Sequence, residues 1–323
     1  MNKWQKLGLA AGMGTAVITT THIINKFIFK SATINNYTYV NMSEKKYNWK
    51  FGSIAYSTYG NESDSPLLLV HDLNSYSSGY EWNNVVERFS VNHHVYVIDL
   101  LGCGHSDKPH ITYTTYMYIQ LINDFITNII GKPTDIIATG NSAPVAIGAA
   151  YTKNSLYKNI LLINPESISM AKVVPGKRSN IRRKLLSIPV IGTTIYNICV
   201  RKDRLNKILA NKVFSDHLVP VDYLNSCHEN AHIAGASSKY LFSSTECHYT
   251  TVSIAKAVKE LNNCIYILYG DDFDIETINE YTSLNSAIET VHIKHSGLLP
   301  QVEQPEELVK QCEILLFSEV TDK

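Results

Sequence analysis

Ser142 lies between a short apolar segment and a run of small residues, a position that could supply a nucleophile. The continuous, β-branched segment Asp135–Thr139 runs into Gly140-Asn141-Ser142-Ala143-Pro144 and then VAIGAAY. A serine at a sharp strand-to-helix turn exposes its hydroxyl above the carboxyl edge of a sheet, where the helix N-terminus favours developing negative charge. Pro144 replaces the second glycine of the G-x-S-x-G pattern, at little cost in a first helical turn. A simple helix N-cap is the alternative role for Ser142.

The elements around this turn alternate between strand and helix. Short apolar runs predict strands at Tyr37–Val40, Trp49–Tyr59, Leu67–His71, His94–Leu100, Asp135–Thr139, Asn159–Asn164, Cys264–Gly270 and Ile288–Lys294. Helical periodicity fits Glu81–Phe89, Tyr116–Ile130, Ala143–Tyr151 and Pro305–Phe317. Several of the strands are continuous apolar runs, which is typical of strands buried on both faces. The alternation predicts an α/β fold with a mostly parallel sheet.

This alternation is interrupted between residues 166 and 255. The segment is helix-rich, with Pro175, Pro189 and Pro220 marking breaks. We therefore expect a helical cap at 166–255, inserted between two strands of one sheet. The core would comprise residues 31–165 and 256–323, and residues 1–30 would form a separate apolar segment.

Four stretches resemble the cap-bearing esterase, lipase and epoxide-hydrolase-like branch of the α/β-hydrolase superfamily. They are LLLVHDLNSYSSGYEW (67–82), VYVIDLLGCGHSDKP (95–109), ATGNSAPVA (138–146) and GLLPQVEQPEEL (297–308). The second is the most specific, because it closely matches the D-x-x-G-x-G-x-S-x-x-P stretch of that family. The resemblance implies an α/β-hydrolase sheet flanked by helices, with a helical cap.

The resemblance also implies roles for individual residues near the turn. Ser142 matches the nucleophile, and the backbone N–H groups of Leu73 and Ala143 match the oxyanion-hole donors. The family usually has glycine where Asp72 stands. If the Asp72 side chain turns inward, it places a carboxylate where an oxyanion should be stabilised.

The acid and base positions depart from the family pattern. The spacing for the acid lands on Phe273, so that Asp272 or Asp274 could serve with a shift of one residue, and Glu166 is a further candidate. The catalytic histidine position is Leu298, which cannot accept a proton. His295 is the candidate for a displaced base, and a solvated strand-end histidine is the alternative.

Charge is distributed very unevenly along the chain. The 323 residues carry 29 basic and 29 acidic side chains. Between Lys172 and Lys212, eleven Lys and Arg accompany one acid, Asp203, so this segment carries +10 and the remainder −10. The neutral total argues against nucleic acid as a partner. The basic segment is either a solvated face or a surface for anionic lipid or an anionic substrate group.

The N-terminus has an uncharged stretch from Leu7 to Asn25, bounded by lysines. A membrane anchor, a signal peptide and a soluble helix are the three alternatives. The cysteine pattern favours a reducing compartment. We therefore expect a cytoplasmic or membrane-associated protein, with residues 7–29 and the basic cap 172–212 as candidate contacts for an anionic membrane.

Two functions remain open from the sequence. One is a serine hydrolase of an ester-like or lipid-like acyl substrate, using Ser142 and a displaced His295, with no metal or organic cofactor. The other is a catalytically impaired hydrolase-fold protein with a binding or scaffolding role. The missing histidine favours the second function, whereas the serine at the turn favours the first.

Overall fold

The computed structural model describes residues 3–34 and 45–317, and within them it leaves aside the side chains of Lys3, residues 6–14 and Phe317. Its centre is one sheet, in the order β1-β2-β4-β3-β5-β6-β7-β8. The strands are β1 (Lys45–Trp49), β2 (Gly52–Tyr59), β3 (Ser65–Val70), β4 (His93–Ile98), β5 (Thr134–Thr139), β6 (Tyr157–Ile163), β7 (Ile265–Tyr269) and β8 (Glu289–His292). The pairs β1–β2 and β2–β4 are antiparallel, and the other pairs are parallel.

Helices flank the sheet and fill the long connection between β6 and β7. They are α1 (Lys3–Ala32), α2 (Val86–Phe89), α3 (Thr115–Phe125), α4 (Ala143–Thr152), α5 (Ile168–Ala171), α6 (Lys177–Ser187), α7 (Ile191–Cys199), α8 (Lys202–Lys212), α9 (Val221–Asn230), α10 (Lys239–Thr245), α11 (Ala255–Glu260), α12 (Ile275–Leu284), α13 (Pro300–Glu303) and α14 (Pro305–Phe317). Short 3₁₀ turns lie at Gly79–Trp82, Gly140–Ser142, Asn154–Leu156 and Gly235–Ser238, and a π turn at Ile126–Ile130 follows α3.

The central strands divide the apolar core into two layers because successive side chains point to opposite faces. In β3, Leu68 and Val70 belong to the layer beneath α3 and α4. Leu67 and Leu69 belong to the opposite layer, with α2 and α14. A strand covered on both faces must be apolar throughout, which explains the continuous runs in the sequence.

The predicted α/β class and mostly parallel sheet are confirmed. The segment Trp49–Tyr59 contains a turn and belongs to two strands, because the chain reverses between β1 and β2. The predicted helix Glu81–Phe89 is also wrong in extent, since a 3₁₀ turn and the short α2 take its place. The predicted strand Tyr37–Val40 lies outside the described residues.

The N-terminal segment is a single helix, α1, whose later part packs on the helical connection between β6 and β7. Asn25 is buried, donates to Thr194 Oγ1 at 3.1 Å and accepts from Asn197 Nδ2 at 2.9 Å. Within residues 3–34 and 45–317, no helix combines the length and the apolar character that crossing a bilayer requires.

Candidate active-site cavity

The turn after β5 places Gly140, not Ser142, at the sharp bend. Gly140 has φ +49, in the left-handed region that favours glycine, and α4 begins three residues later. A Cβ atom at position 140 would lie 2.5 Å from Asp72 Oδ1, which is too close for any side chain. Both the backbone conformation and the available space therefore require glycine at the bend.

Ser142 is fully buried, so the prediction that its hydroxyl is exposed is wrong. Its backbone is right-handed, and its Oγ donates to the carbonyl of His71 at 2.6 Å. Ser142 is the N-cap residue of α4, but its hydroxyl makes no capping hydrogen bond to that helix. Ser142 instead ties the turn to the end of β3.

A carboxylate occupies the backbone donor beside the bend. Asp72 Oδ1 accepts from the backbone N–H of Asn141 at 2.7 Å and from its side-chain amide at 3.1 Å. Asp72 Oδ2 accepts from Asn74 Nδ2 at 2.7 Å. The Asp72 side chain therefore lies against the backbone of the turn.

Of the two predicted oxyanion-hole donors, Leu73 and Ala143, one is already hydrogen-bonded within the turn. The backbone N–H of Ala143 donates to the Gly140 carbonyl within the turn, so the prediction that it serves as a free donor is wrong. Asn141 supplies the outward N–H in its place, because the bend lies two residues earlier than the sequence pattern suggested. Leu73 follows Asp72 in the same loop, and its assignment stays a prediction.

A second carboxylate, Glu81, lies beneath Asp72 and is buried. Its Oε2 accepts from the backbone N–H of Asp72 at 3.1 Å. Its Oε1 is bonded to Thr139 Oγ1 at 2.6 Å and Gln301 Nε2 at 2.7 Å. Burial, together with the negative charge of Asp72, raises the pKa of the Glu81 carboxyl to about 8. At neutral pH this carboxyl therefore holds its proton most of the time.

His71 has a structural role in this loop. Its Nε2 accepts from the backbone N–H of Leu100 at 3.0 Å, so that the proton resides on Nδ1, which donates to the Asp72 carbonyl at 2.7 Å. Burial lowers the pKa of the imidazole, and the ring is accordingly neutral. The ring thus joins the Asp72 backbone to the backbone that follows β4.

Leu298 reaches the cavity at the position of the expected base. Its side chain lines the cavity, and its backbone N–H donates to the carbonyl of Val213 at 2.7 Å. His295 is exposed and does not line the cavity. The backbone N–H of His295 donates to Asp271 Oδ2 at 2.8 Å, which fixes the backbone of this residue at the outer end of β8.

The carboxylates after β7 are divided between the cavity and the surface. Asp272 and Asp274 line the cavity, and Asp274 Oδ1 also caps α12 by accepting from the backbone N–H of Glu276 at 3.1 Å. Asp271 lies at the surface, where it accepts from His292 Nε2 at 2.7 Å. The structure thus brings Asp272 and Asp274 together with the bend, but pairs neither with an imidazole among the residues that line the cavity.

The cavity above Gly140 has a volume of about 390 Å³. Its polar wall contains five carboxyl side chains, and among the described residues that line it there is no Lys, Arg or His; the carboxyl side chains are Asp72, Glu81, Glu166, Asp272 and Asp274. Burial, with the Asp72 charge, raises the pKa of Glu166 to about 7. The opposite wall is apolar and aromatic, with contributions from Tyr76, Leu209, Val213, Tyr223, Phe273, Leu298 and Leu299.

A smaller cavity of about 250 Å³ adjoins the first and shares Asp72, Asn141 and Glu166 with it. His248 lines this second cavity from the segment after α10, together with Glu246. Within the described residues, no group of three or more His, Cys, Asp or Glu is arranged to hold a metal ion. The bend itself offers carboxylates and backbone donors.

Comparison with known proteins identifies the fold and the family. A profile of the alpha/beta hydrolase family matches residues 67–311. The chain belongs to the alpha/beta hydrolase family. Uncharacterized proteins of Mycobacterium bovis and Mycobacterium tuberculosis are 27% identical over 128 residues, which is 40% of this chain. The chain spans about a third of the length of these curated relatives, 35% in the alignment.

Solved structures of alpha/beta hydrolases cover most of the chain. A bacterial membrane phospholipase A is 19% identical and has a TM-score of 0.69, with 99% of this chain and 100% of that chain covered. A serine hydrolase of carbazole degradation is 16% identical, with a TM-score of 0.71 and coverage of 85% and 99%. A carboxylesterase from Bacillus subtilis is 12% identical, with a TM-score of 0.66 and coverage of 92% and 98%. At these identities the likeness shows the fold alone.

Sequence reasoning missed three residues of the site: Gly140, Asn141 and Glu81. Two five-residue segments fit the strand-to-helix motif: A-T-G-N-S, which puts Gly140 at the bend, and G-N-S-A-P, which puts Ser142 there. Because β5 ends at Thr139, the structure adopts the first. Glu81 left no comparable signal, because its burial depends on how the 3₁₀ turn Gly79–Trp82 packs beneath the loop.

Proposed function

We propose that this alpha/beta hydrolase family member binds a ligand in the cavity without serine-type hydrolysis. The observation that carries the proposal is the Asp72 carboxylate bonded to the Asn141 N–H directly beside Gly140. An oxyanion hole must offer free donors to developing negative charge. A carboxylate in that place occupies the donor and repels the charge that the reaction would create.

The two other parts of the usual machinery support the same proposal. Position 140 has no side chain to attack a carbonyl, and Leu298 has no proton acceptor where a base is needed. Ser142 would have to leave its contact with the His71 carbonyl and the buried interior to reach the cavity. Serine-type hydrolysis would therefore lack three groups: a nucleophile at position 140, a base at position 298 and a free N–H donor at Asn141.

The lining of the cavity favours a particular ligand class. Carboxylate oxygens accept hydrogen bonds, and negative charge favours a cation. The apolar and aromatic wall favours a hydrocarbon or aromatic portion, and aromatic faces also attract cations. An amine with an apolar group satisfies both walls, whereas a fatty acid anion satisfies only one.

A fluorophosphonate probe tests the absence of serine-type reactivity. We expect no mass increase of the intact protein, while a commercial carboxylesterase in the same tube is labelled. Labelling of the protein that disappears in Ser142→Ala would contradict the proposal. That result would instead support the second candidate, a serine hydrolase of an acyl substrate, which the fold of its esterase neighbours favours.

Thermal unfolding tests the ligand class directly. Hexylamine, hexanol and hexanoate have similar hydrocarbon parts and differ in charge. We expect hexylamine alone to raise the unfolding midpoint, because binding to the native state stabilises it. Asp272→Asn should weaken this rise, and Glu289→Gln, an exposed carboxylate on β8, is the matched control. Equal shifts with all three compounds would reject the cationic class.

A further inference from the structure

The helical segment between β6 and β7 presents a basic and apolar face to solvent. On α6, Arg178, Ile181, Arg182 and Leu185 follow the spacing i, i+3, i+4, i+7 and therefore share one side of the helix. All four are exposed, with Ile181 at 67%. Leu186, four residues after Arg182, is buried and marks the edge at which α6 packs inward.

The exposed apolar surface continues from α6 to α7. Ile188 and Ile191 flank the corner between the two helices and are 40% and 57% exposed. The corner is tight, since the backbone N–H of Gly192 donates to the Ile188 carbonyl at 3.0 Å. Lys239 Nζ also donates to that carbonyl, at 3.1 Å, which holds the corner on α10.

Helix α1 extends this surface further. Its buried Asn25 bonds to α7, and the apolar residues Ile23, Ile24 and Phe27 lie within two positions of Asn25 on α1. All three are exposed, with Phe27 at 70%. Ile24 and Ile198 line a common groove of about 620 Å³ between α1 and α7. We name the surface formed by α1, α6 and α7 at these residues the cap face.

Charge in the segment from Lys172 to Lys212, which includes α6 and α7, is predominantly positive. Ten of the eleven basic residues between Lys172 and Lys212 are exposed, and Arg183, the other one, lies over the ring of Tyr249. The one acid of the segment, Asp203, is paired with Arg201 at 3.0 Å. Exposed isoleucine and phenylalanine set among Lys and Arg are typical of surfaces that lie in the headgroup region of an anionic bilayer.

We propose that the cap face docks on an anionic lipid membrane, with Ile181 and Leu185 entering the interface and Arg178 and Arg182 contacting lipid phosphates. Such exposed apolar side chains are costly in water, and their insertion removes this area from solvent. The basic residues supply attraction to the negative surface, which decays within a Debye length and is weakened by salt. This docking is independent of the chemistry of the cavity.

Co-sedimentation of the full chain with vesicles tests the docking. We expect binding to vesicles of phosphatidylcholine with phosphatidylglycerol, weaker binding at high salt, and little binding to phosphatidylcholine alone. Arg178→Glu with Arg182→Glu should reduce the partition coefficient about tenfold or more, since each basic residue near the surface contributes measurably. Ile181→Ser with Leu185→Ser should reduce it at unchanged net charge.

The matched control is Lys153→Glu with Lys259→Glu, two exposed lysines on the core that carry the same change in net charge. We expect this control to retain most of the binding, and circular dichroism to show that every variant is folded. Equal losses in the cap and core variants would overturn the proposal, as would no binding by the parent protein. A dimer in gel filtration that dissociates in Ile181→Ser with Leu185→Ser, without vesicle binding, would identify a second copy as the occupant and also overturn it.

Discussion

The carboxylate of Asp72 lies against the backbone of Asn141, with 2.7 Å between Asp72 Oδ1 and the Asn141 nitrogen. This contact is possible only because Gly140 leaves open the space that a Cβ atom would fill. The two departures from the family pattern, glycine at the bend and aspartate in the loop, are therefore sterically coupled. Aspartate at position 72 fits only with glycine at position 140, because any larger residue at the bend would collide with the Asp72 carboxylate.

Gly140→Ala should destabilise the fold by more than the cost of a positive φ at a non-glycine residue. A non-glycine residue at positive φ costs about 1–2 kcal/mol, and the methyl group would also meet Asp72. Gly131→Ala is the control, because Gly131 has φ +70 and open space within 4 Å of the point that a Cβ atom would occupy. Denaturant unfolding should give a larger loss of stability for Gly140→Ala than for Gly131→Ala. Adding Asp72→Gly to the Gly140→Ala variant should remove the excess loss. Equal losses at the two glycines would contradict the steric coupling.

The contribution of Glu81 to stability should fall as pH rises toward the folded-state pKa of this residue. That pKa is raised from 4.5 to about 8, so that between these values the native state holds a proton that the unfolded state has lost. The stabilisation is complete below the unfolded-state pKa and is lost as pH rises through the folded-state pKa. Glu166 contributes in the same direction, up to about pH 7.

Glu81→Gln should flatten this dependence, because the amide does not ionise. The measurement is the free energy of unfolding between pH 5 and pH 8.5, roughly the window set by the Glu81 pKa values. Glu289→Gln, which changes an exposed carboxylate, should leave the slope of the parent protein intact. A slope in Glu81→Gln equal to that of the parent would show that Glu81 ionises freely in the folded protein.

Ser142→Ala should reduce stability and leave any catalytic readout unchanged. Removing the hydroxyl leaves the buried His71 carbonyl without this donor, which costs about 1–3 kcal/mol. Ser155→Ala, at an exposed serine, should cost little. Urea unfolding of both variants gives the comparison. A stable Ser142→Ala protein that has lost a measurable esterase activity would favour the nucleophile role over the structural one.

The sequence predicts the sheet well because burial on both faces imposes continuous apolar runs. The β1–β2 turn was not predicted, because Trp49–Tyr59 is rich in strand-forming residues on both sides of Lys50 and Phe51. Gly52, with φ +150 and Asp107 2.8 Å from a Cβ position, follows that turn. Its conformational requirement is invisible in residue types alone.

The site was harder to predict than the fold, because two registers of one motif fit the sequence. Reading Gly140 as the first glycine of G-x-S makes Ser142 the bend, whereas the structure ends β5 at Thr139 and bends at Gly140. A shift of two residues preserves the strand-to-helix pattern and moves the hydroxyl from the cavity to the interior. The end of β5 at Thr139 and the packing against Asp72 and His71 distinguish the two registers.

Glu303 should control how firmly the chain that follows α8 is held over the cavity. Its Oε1 accepts from the backbone N–H and the hydroxyl of Ser215, at 2.9 and 2.8 Å, and its Oε2 accepts from the backbone N–H of Gly297 at 2.7 Å. One carboxylate thus joins the loop that precedes Leu298 to the chain that follows α8. Glu303→Ala removes three hydrogen bonds across this contact, and we expect faster amide exchange at Gly297 and Ser215.

Glu306→Ala is the matched control for this variant. Glu306 belongs to the same C-terminal region and pairs with Arg88 at 2.8 Å, but its side chain is 80% exposed, so the pair contributes little. Hydrogen exchange should therefore change near the cavity in Glu303→Ala and remain at the parental rate there in Glu306→Ala. Because the segment around Val213 and Leu298 forms one wall of the cavity, a looser contact should also speed dissociation of a bound amine. Parental exchange at both amides in Glu303→Ala would show that the contact between Val213 and Leu298 suffices to hold the segment closed.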